Sequence, residues 1–326
     1  MSGRERVKLI NELCKTCSRY RVIPKSMHIP DFSEDATQVY AGDFGTVSKS
    51  TYEGHQVAVK VTHGVSLRNQ DTIRSRFCRE IVAWKHLWHP NILPLLGVTV
   101  SEFRLMMVSE WMENGNINEF ARRDHSTNRT ALLADVANGL KYMHDLHIVH
   151  GDLKGANILI NKDRRACIAD FSLTTITSVR TRADAGSTQA SLLSNDSLMS
   201  FTSGGSIRWM SPELLDPEQF GIPQSEVGRP TRQSDCYALG MVIYEVLCGH
   251  HPYIEIEPGP LVVIAILMGD RPKKPEGAAR LGFSNELWTT VEKCWWENRD
   301  ERPRVEDILA RLNEATAFWY MRSSGS

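Results

Sequence analysis

The chain has 326 residues, 41% of them hydrophobic and 24% charged, which is enough for two packed lobes and too apolar for a disordered chain. Lys+Arg 38 against Asp+Glu 39 leaves a formal net charge of -1, so no bulk field points to nucleic acid or an anionic membrane. The longest apolar run, 261–268, is far shorter than the roughly 20 residues a membrane-spanning helix needs, and the N-terminal residues lack the apolar stretch of a signal peptide.

In chain order, residues 4–20 read as an amphipathic helix with Val7, Ile10, Leu13 and Cys14 on one face. It is read either as docking on the small lobe or as recruiting a regulatory partner. Pro24 and Pro30 then punctuate an extended linker. From 39 to 61, β-branched runs separated by glycines predict a strand, a tight turn and two more strands. Helical spacing returns over 71–87, and 91–100 and 103–110 read as two further strands. After Asn114-Gly115 the pattern turns to long helices, such as 131–144 and 234–247. The run 261–268 is expected to pack as a helix in the large lobe, and Trp295 and Trp296 as core and groove-packing residues. Between Thr174 and Ser206 the chain is crowded with Ser and Thr and reads as a surface segment.

Seven cysteines are scattered along the chain, and the single CxxC, Cys14 and Cys17, has no second pair to complete a zinc site. Reduced thiols fit a soluble chain in a reducing, cytoplasmic compartment.

The chemistry-bearing residues form an ordered series. Gly42 and Gly45, in Gly42-Asp43-Phe44-Gly45-Thr46-Val47, let backbone N–H groups approach phosphate oxygens, although a hairpin turn would look the same. Lys60 ends the apolar strand Ala58-Val59-Lys60, and Glu80, on the next helix, is a partner for a half-buried ammonium. Then comes His150-Gly151-Asp152-Leu153-Lys154-Gly155-Ala156-Asn157, with Asp170 in Ala169-Asp170-Phe171-Ser172. A carboxylate to orient and deprotonate a hydroxyl, an ammonium to neutralise a phosphoryl group, and amide and carboxylate oxygens for a metal are what phosphoryl transfer requires. Magnesium accepts a few such oxygens beside phosphates and water, which Asn157 and Asp170 would offer.

The ordered set resembles the protein kinase family, whose pattern combines a Gly-rich loop, VAIK, HRDLxxxN, DFG and APE. Ser211-Pro212-Glu213 matches APE, and Asp235, Gly240 and Arg302 match later positions. The resemblance spans roughly 35–315. His89-Pro90-Asn91-Ile92-Leu93, the stretch 205–213 and Cys294-Trp295-Trp296 are similar to the tyrosine-kinase-like group of serine/threonine kinases, notably its fungal members.

The resemblance implies a bilobal α+β fold, with a small antiparallel-sheet lobe carrying one helix and a large, mainly helical lobe. With the helix and linker read from the residue pattern occupying 1–34, the resemblance places the small lobe over 35–112 and the large lobe over 113–315, with an activation segment at 170–213, and leaves a tail over 316–326. It implies ATP and Mg2+ as cofactors and a protein as substrate. Lys60 would bind the α- and β-phosphates, held by Glu80. Val47, Ala58 and Leu159 would sandwich adenine, and Glu110 and Met112 would present hinge groups to its edge, with Ser109 behind. Asp152 would be the catalytic base, Lys154 the γ-phosphate contact, and Asn157 and Asp170 the metal ligands. Lys154 favours serine/threonine over tyrosine, and Ser206 would support its loop. By the same resemblance Glu213 and Arg302 would form a buried ion bridge. The competing readings are an ATP-binding pseudokinase scaffold, and tyrosine or dual specificity.

Three positions depart from the family pattern. Tyr40 replaces the first loop glycine, where its side chain would stiffen or crowd the lid. Ser172 replaces the DFG glycine, a penalty of roughly 1 kcal/mol if a positive φ is required there. Gly151 replaces the HRD arginine that meets a phosphorylated activation-segment residue, and glycine offers no charge for such a pair. Activity is therefore expected to survive alanine substitution of the segment's Ser and Thr residues, measured as phosphoryl transfer by the folded variant. Complete loss would contradict it.

Overall fold

The computed structural model describes residues 3–30, 37–42, 45–62, 70–100, 104–176, 205–257 and 259–323. The loop tip Asp43 and Phe44, and residues 177–204 of the Ser/Thr-rich segment, lie outside the described residues. Strands β1 (Thr37–Gly42), β2 (Gly45–Tyr52), β3 (His55–Thr62), β4 (Leu95–Val100) and β5 (Leu105–Glu110) form one antiparallel sheet in the order β1-β2-β3-β5-β4. Strand alternation sorts its two faces. Val57 and Val59 join Met106 and Val108 in one apolar cluster, which turns Ala58 and Lys60 to the opposite face.

Helix α1 (Gly3–Tyr20) packs along α2 (Gln70–Lys85). Its buried residues are Val7, Ile10, Cys14 and Cys17, whereas Leu13 is half-buried. The apolar face therefore extends to Cys17 rather than centring on Leu13. Of the two readings of this helix, docking on the small lobe is what the structure displays. The linker is not wholly extended: it makes a 3-10 turn at Lys25–Met27 and then runs beside β4, where the Ile29 N–H donates to the Val98 carbonyl at 3.1 Å.

The large lobe holds α3 (Ile117–Arg123), α4 (Arg129–Asp145), α5 (Pro212–Leu215), α6 (Arg232–Cys248), α7 (Gly259–Leu267), α8 (Asn285–Cys294) and α9 (Val305–Ser323). Two short ribbons pair β6 (Ile148–Val149) with β9 (Thr175–Ile176) and β7 (Ile158–Ile160) with β8 (Ala166–Ile168). Local signals set the helix ends. Asn128 caps α4 by accepting from the Ala131 N–H. Thr231 and Ser234 form a reciprocal cap on α6, and Gly249 closes that helix in the left-handed region. Helix α6 is buried all round, with Tyr237, Leu239, Met241, Val242 and Ile243 fully enclosed, so it is the axis on which the lobe is built.

Several expectations shift. The segment 91–100 is not one strand, because β4 begins only at Leu95. Asn91 and Leu93 instead bond β8: the Ile168 N–H donates to the Asn91 carbonyl, and the Leu93 N–H to the Ile168 carbonyl, each at 2.9 Å. An apolar β-rich run is thus divided between the two lobes, and composition alone does not say with whom it pairs. Helix α7 buries Val262, Ala265 and Ile266, while Leu261, Ile264 and Met268 face outward. Trp295 is core, but Trp296 is exposed, with the Lys293 ammonium 5.8 Å from its ring centre. Among the described residues no helix is long and apolar enough to cross a membrane, and no cluster of three metal-binding side chains occurs. Cys14 and Cys17 are free, buried thiols, and burial pushes Cys14 up to about 12.

Glu213, on α5, and Arg302, ahead of α9, form a two-pronged ion pair with both N–O distances at 2.7 Å. The side chains are 3% and 0% exposed, so removing either partner strands a charge in the interior. Arg302→Ala is expected to cost about 3–5 kcal/mol in denaturant unfolding, the range for one-sided loss of a buried pair.

Candidate active site

The cross-strand register builds the upper wall. Tyr40, Val47, Lys60 and Met107 lie opposite one another on β1, β2, β3 and β5, and Ala58 lies opposite Ser109. Directly opposed residues share a face, so Val47, Ala58, Lys60 and Ser109 look the same way, and Tyr40 sits at the edge of that row. Val47 and Ala58 are half-buried, Ser109 and Met112 are buried, and Glu110 is exposed. A Cβ on Gly45 would come within 2.2 Å of the Val61 carbonyl oxygen, so close approach of β2 to β3 already demands glycine there.

From this wall the Lys60 ammonium reaches across to Asp170, Nζ to Oδ1 at 2.7 Å, while Glu80 Oε1 lies 3.9 Å away. Burial opposes the ammonium, but the carboxylates of Asp170 and Glu80 outweigh it and raise the lysine above its ordinary range. Burial likewise opposes charge on Asp170, and Lys60 more than offsets it, holding the carboxyl well below the usual range. Glu80 gains less: burial dominates and pushes it up to about 7. Its Oε1 has no hydrogen-bond partner among the described residues. Lys60 is therefore committed to Asp170, with Glu80 as the looser second partner.

The lower wall is the loop between β6 and β7. Asn157 donates through Nδ2 to the Asp152 carbonyl at 2.8 Å and to its Oδ2 at 3.0 Å. These bonds fix the amide orientation and leave Asn157 Oδ1 as an acceptor. Lys154 bridges Asp152 Oδ2 at 3.2 Å and Ser206 Oγ at 2.6 Å. The Ala169 N–H donates to the Asn157 carbonyl at 2.9 Å, which ties this loop to the residue before Asp170. Leu159, half-buried, follows on β7. Lys60, Asp152, Asn157 and Asp170 are thus joined through a short series of contacts, although 110 residues separate the first from the last.

Support comes from α6. Asp235 accepts from the His150 N–H at Oδ2 and the Gly151 N–H at Oδ1, both 2.9 Å, and His144 Nε2 lies 2.9 Å from Oδ2. His150 Nδ1 lies 3.2 Å from the Asp152 N–H and Nε2 lies 3.0 Å from the Ala169 carbonyl. The network assigns the proton to Nε2, so one imidazole braces both the loop and the strand leading to Asp170. Glu245 accepts from the Gly155 N–H at 3.0 Å, from Trp209 Nε1 at 2.9 Å and from Asn118 Nδ2 at 2.6 Å. Phe171, fully buried, packs its ring 5.2 Å from Trp84 of α2 and 5.6 Å from His150.

Two departures acquire a structural meaning. Gly151 has φ 84°, and a Cβ there would meet the Leu173 carbonyl at 2.9 Å and Pro230 Cγ at 3.0 Å, so conformation and space both suit glycine. The positive φ near Ser172 falls on Asp170, at 61°, so the anticipated backbone penalty at Ser172 does not arise. Sequence reasoning placed Asp235 by resemblance but missed Glu245, Asn118, His144, Trp209 and Trp84. Four of these are ordinary helix residues and Trp209 ends a 3-10 turn, and their roles exist only once distant segments meet. A buried acid in an otherwise apolar helix, as at Glu245, was the available signal.

Fold and site together define a protein kinase domain. The family model described as protein tyrosine and serine/threonine kinase matches residues 34–312, and the chain belongs to that family. Among its relatives, serine/threonine-protein kinase STY17 of Arabidopsis thaliana is 26% identical over 281 residues, covering 85% of this chain and 43% of the relative. Tyrosine-protein kinase csk-1 of Caenorhabditis elegans is 30% identical over 278 residues, 83% of this chain and 45% of the relative. The dual specificity protein kinase zakA of Dictyostelium discoideum is 26% identical over 319 residues, 91% of this chain and 37% of the relative. The chain therefore spans less than half the length of these curated relatives.

Asp235→Asn retains the shape but places an amide N–H against a backbone N–H. It is expected to cost about 3 kcal/mol in unfolding experiments, the scale of an unsatisfied buried charged acceptor site, and to lower kcat more than it raises the KM for nucleotide.

Proposed function

We propose that the chain is an ATP-dependent protein kinase that transfers the γ-phosphoryl group of ATP to serine or threonine in a protein substrate. The observation that carries this reading is the convergence in which Lys60 meets Asp170, Asp152 meets Asn157, and the Ala169 N–H joins the two pairs through the Asn157 carbonyl. Asn157 Oδ1 and the Asp170 carboxylate are hard oxygen donors of the kind magnesium takes with nucleotide phosphates, and these two residues would hold it. When bound, the ion neutralises charge on the phosphate oxygens.

The chain's own groups then have defined work. Lys60, positioned by Glu80, pairs with the α- and β-phosphates. Gly42 and Gly45 allow the backbone to close over them. Val47, Ala58 and Leu159 enclose adenine, Glu110 and Met112 offer backbone groups to its edge, and Ser109 bounds the space behind. Asp152 orients the acceptor hydroxyl and takes its proton as the oxygen bonds to the γ-phosphorus and the bridging oxygen departs with ADP. Lys154, already beside Asp152, offsets the charge on the transferred group.

The presence of Lys60, Asp152 and Asp170 in contact with functional partners favours turnover over a nucleotide-holding scaffold. Lys154 and its Ser206 contact support serine/threonine specificity, though the relatives' names span serine/threonine, tyrosine and dual specificity. Free cysteines throughout the chain fit a cytoplasmic setting. A regulatory partner acting through α1 would have to use a face other than the one seated on α2, or displace the helix.

With radiolabelled ATP and a generic protein acceptor, the chain is expected to transfer label. Asp152→Asn should lower kcat by about 10²–10⁴-fold, the usual contribution of a positioned acid-base group, and the label should appear on phosphoserine or phosphothreonine. Nucleotide binding with no transfer by the unaltered chain would establish the scaffold reading instead.

A further inference from the structure

Helix α1 lies antiparallel to α2 along its whole length. Arg6 Nη2 donates to the His86 carbonyl at 2.9 Å, Cys14 Sγ approaches the Arg79 carbonyl at 3.9 Å, the Ser18 and Ser75 hydroxyls meet at 2.7 Å, and Arg21 pairs with Asp71 at 2.5 Å. Between these contacts Val7, Ile10, Cys14 and Cys17 are buried in the same apolar cluster as Phe77, Cys78 and Ile81 of α2. The end of α1 is locked as well. Arg21 takes a left-handed conformation, φ 55°, and the Val22 N–H donates to the Cys17 carbonyl at 3.1 Å, closing the helix in a Schellman-type turn. From there the chain returns to β4 through buried Met27 and the Ile29–Val98 hydrogen bond. Residues 3–30 thus strap α2 to the sheet.

Glu80 lies between the two anchors of α2. On its C-terminal side, Trp84 donates to the Leu93 carbonyl at 2.5 Å and packs on Phe171, next to Asp170. On its N-terminal side, the contacts at Asp71, Ser75 and Arg79 all come from α1 or the residue just after it. The Glu80 carboxylate itself is weakly fixed: it is 3.9 Å from Lys60, and its Oε1 has no hydrogen-bond partner among the described residues. A pair at that separation is lost by a small displacement of the helix, so the position of α2 decides whether Glu80 serves Lys60.

We propose that α1 is a positioning element for phosphoryl transfer, seating α2 through Ile10 and Cys14 so that Glu80 stays within reach of Lys60. This rests on the kinase reading of the cleft. It differs from plain bracing of the fold because loss of α1 contacts must change how the folded enzyme handles nucleotide, and not merely when it melts.

The test compares Ile10→Asp, which puts a carboxylate into the α1–α2 interface, with Leu9→Asp, the same charge on the exposed side of the same helix (Leu9 is 59% exposed and Ile10 4%). Both are made in the full chain, with Ile10→Ala as a milder variant should Ile10→Asp fail to fold. Each is assayed well below its own Tm. For Ile10→Asp, kcat/KM for magnesium-ATP is expected to fall about ten-fold or more, the scale of a misplaced positioning group. Amides of 70–85 should exchange faster, and a synthetic peptide of residues 3–22 should restore activity saturably. Leu9→Asp should remain within about two-fold of the unaltered chain, as surface substitutions do, and Ile10→Ala should fall between.

Equal loss in Leu9→Asp and Ile10→Asp would overturn the proposal, as would unchanged kcat/KM in an Ile10 variant whose α1 amides exchange freely. Absence of transfer by the unaltered chain would count against the kinase reading alone. The positioning claim is then decided by amide exchange over 70–85 and by the affinity of a fluorescent ATP analogue with magnesium in the same variants, and no change in either would overturn it.

Discussion

The ion pair between Lys60 and Asp170 is the constraint around which this molecule is arranged. Each charge is partly withdrawn from water, at 18% and 26% side-chain exposure, and neither is tolerated there without the other. Lys60 comes from the small-lobe sheet and Asp170 from the large lobe, so satisfying the pair ties the two together. Neighbouring contacts serve the same connection. Asn91 and Leu93 bond β8 two residues before Asp170, and Trp84 of α2 packs on Phe171 just after it. A nucleotide entering this cleft with its metal would find the cation and the carboxylate already facing one another and would exchange their mutual contact for its own phosphates.

The catalytic loop is held from beneath by acids on a helix that is otherwise apolar. Asp235 and Glu245 lie about three turns apart on α6, and each collects hydrogen bonds from backbone N–H groups that the loop's irregular path leaves without a strand or helix partner. Burial pushes the Glu245 carboxyl up, and its three donors are what make the position tolerable. Glu213 and Arg302 repeat the principle between α5 and the segment ahead of α9. Asp235, Glu245 and the Glu213–Arg302 pair are each fully engaged by hydrogen bonds, so each specifies one local conformation and is costly to lose.

Much of the fold was legible because its signals are local. The β-branched run Val57-Ala58-Val59 marked the strand that ends at Lys60, and caps at Asn128 and Thr231 agree with helices expected from periodicity alone. The order and spacing of Asp152, Lys154, Asn157 and Asp170 point to one chemistry by themselves. What was not legible depends on partners far away in sequence. Asn91–Leu93 looked like the start of β4 but pairs with β8, because β propensity carries no address. Trp84, Glu245 and Asn118 read as ordinary helix residues until Phe171, Gly155 and Trp209 arrive beside them. At Ser172 the condition for a penalty is not met: residue type indicates where a positive φ would be costly, whereas the loop's path puts that φ on Asp170.

Gly151 satisfies the local structure while leaving out a charge that the family pattern carries. The left-handed backbone and the proximity of Pro230 suit glycine, and the charge that arginine would bring to an activation-segment phosphate is absent at this position. Positioning of the small-lobe glutamate then falls more heavily on contacts within the lobe, among which α1 is prominent. All of this presupposes that one magnesium-nucleotide is shared by the four side chains. A crystal structure of the chain with magnesium and a non-hydrolysable ATP analogue tests that most directly. The account predicts phosphates against Lys60, the metal on Asn157 and Asp170, and Asp152 facing the γ-phosphate. A nucleotide seated elsewhere, or bound without engaging Lys60 and Asp170, would contradict it.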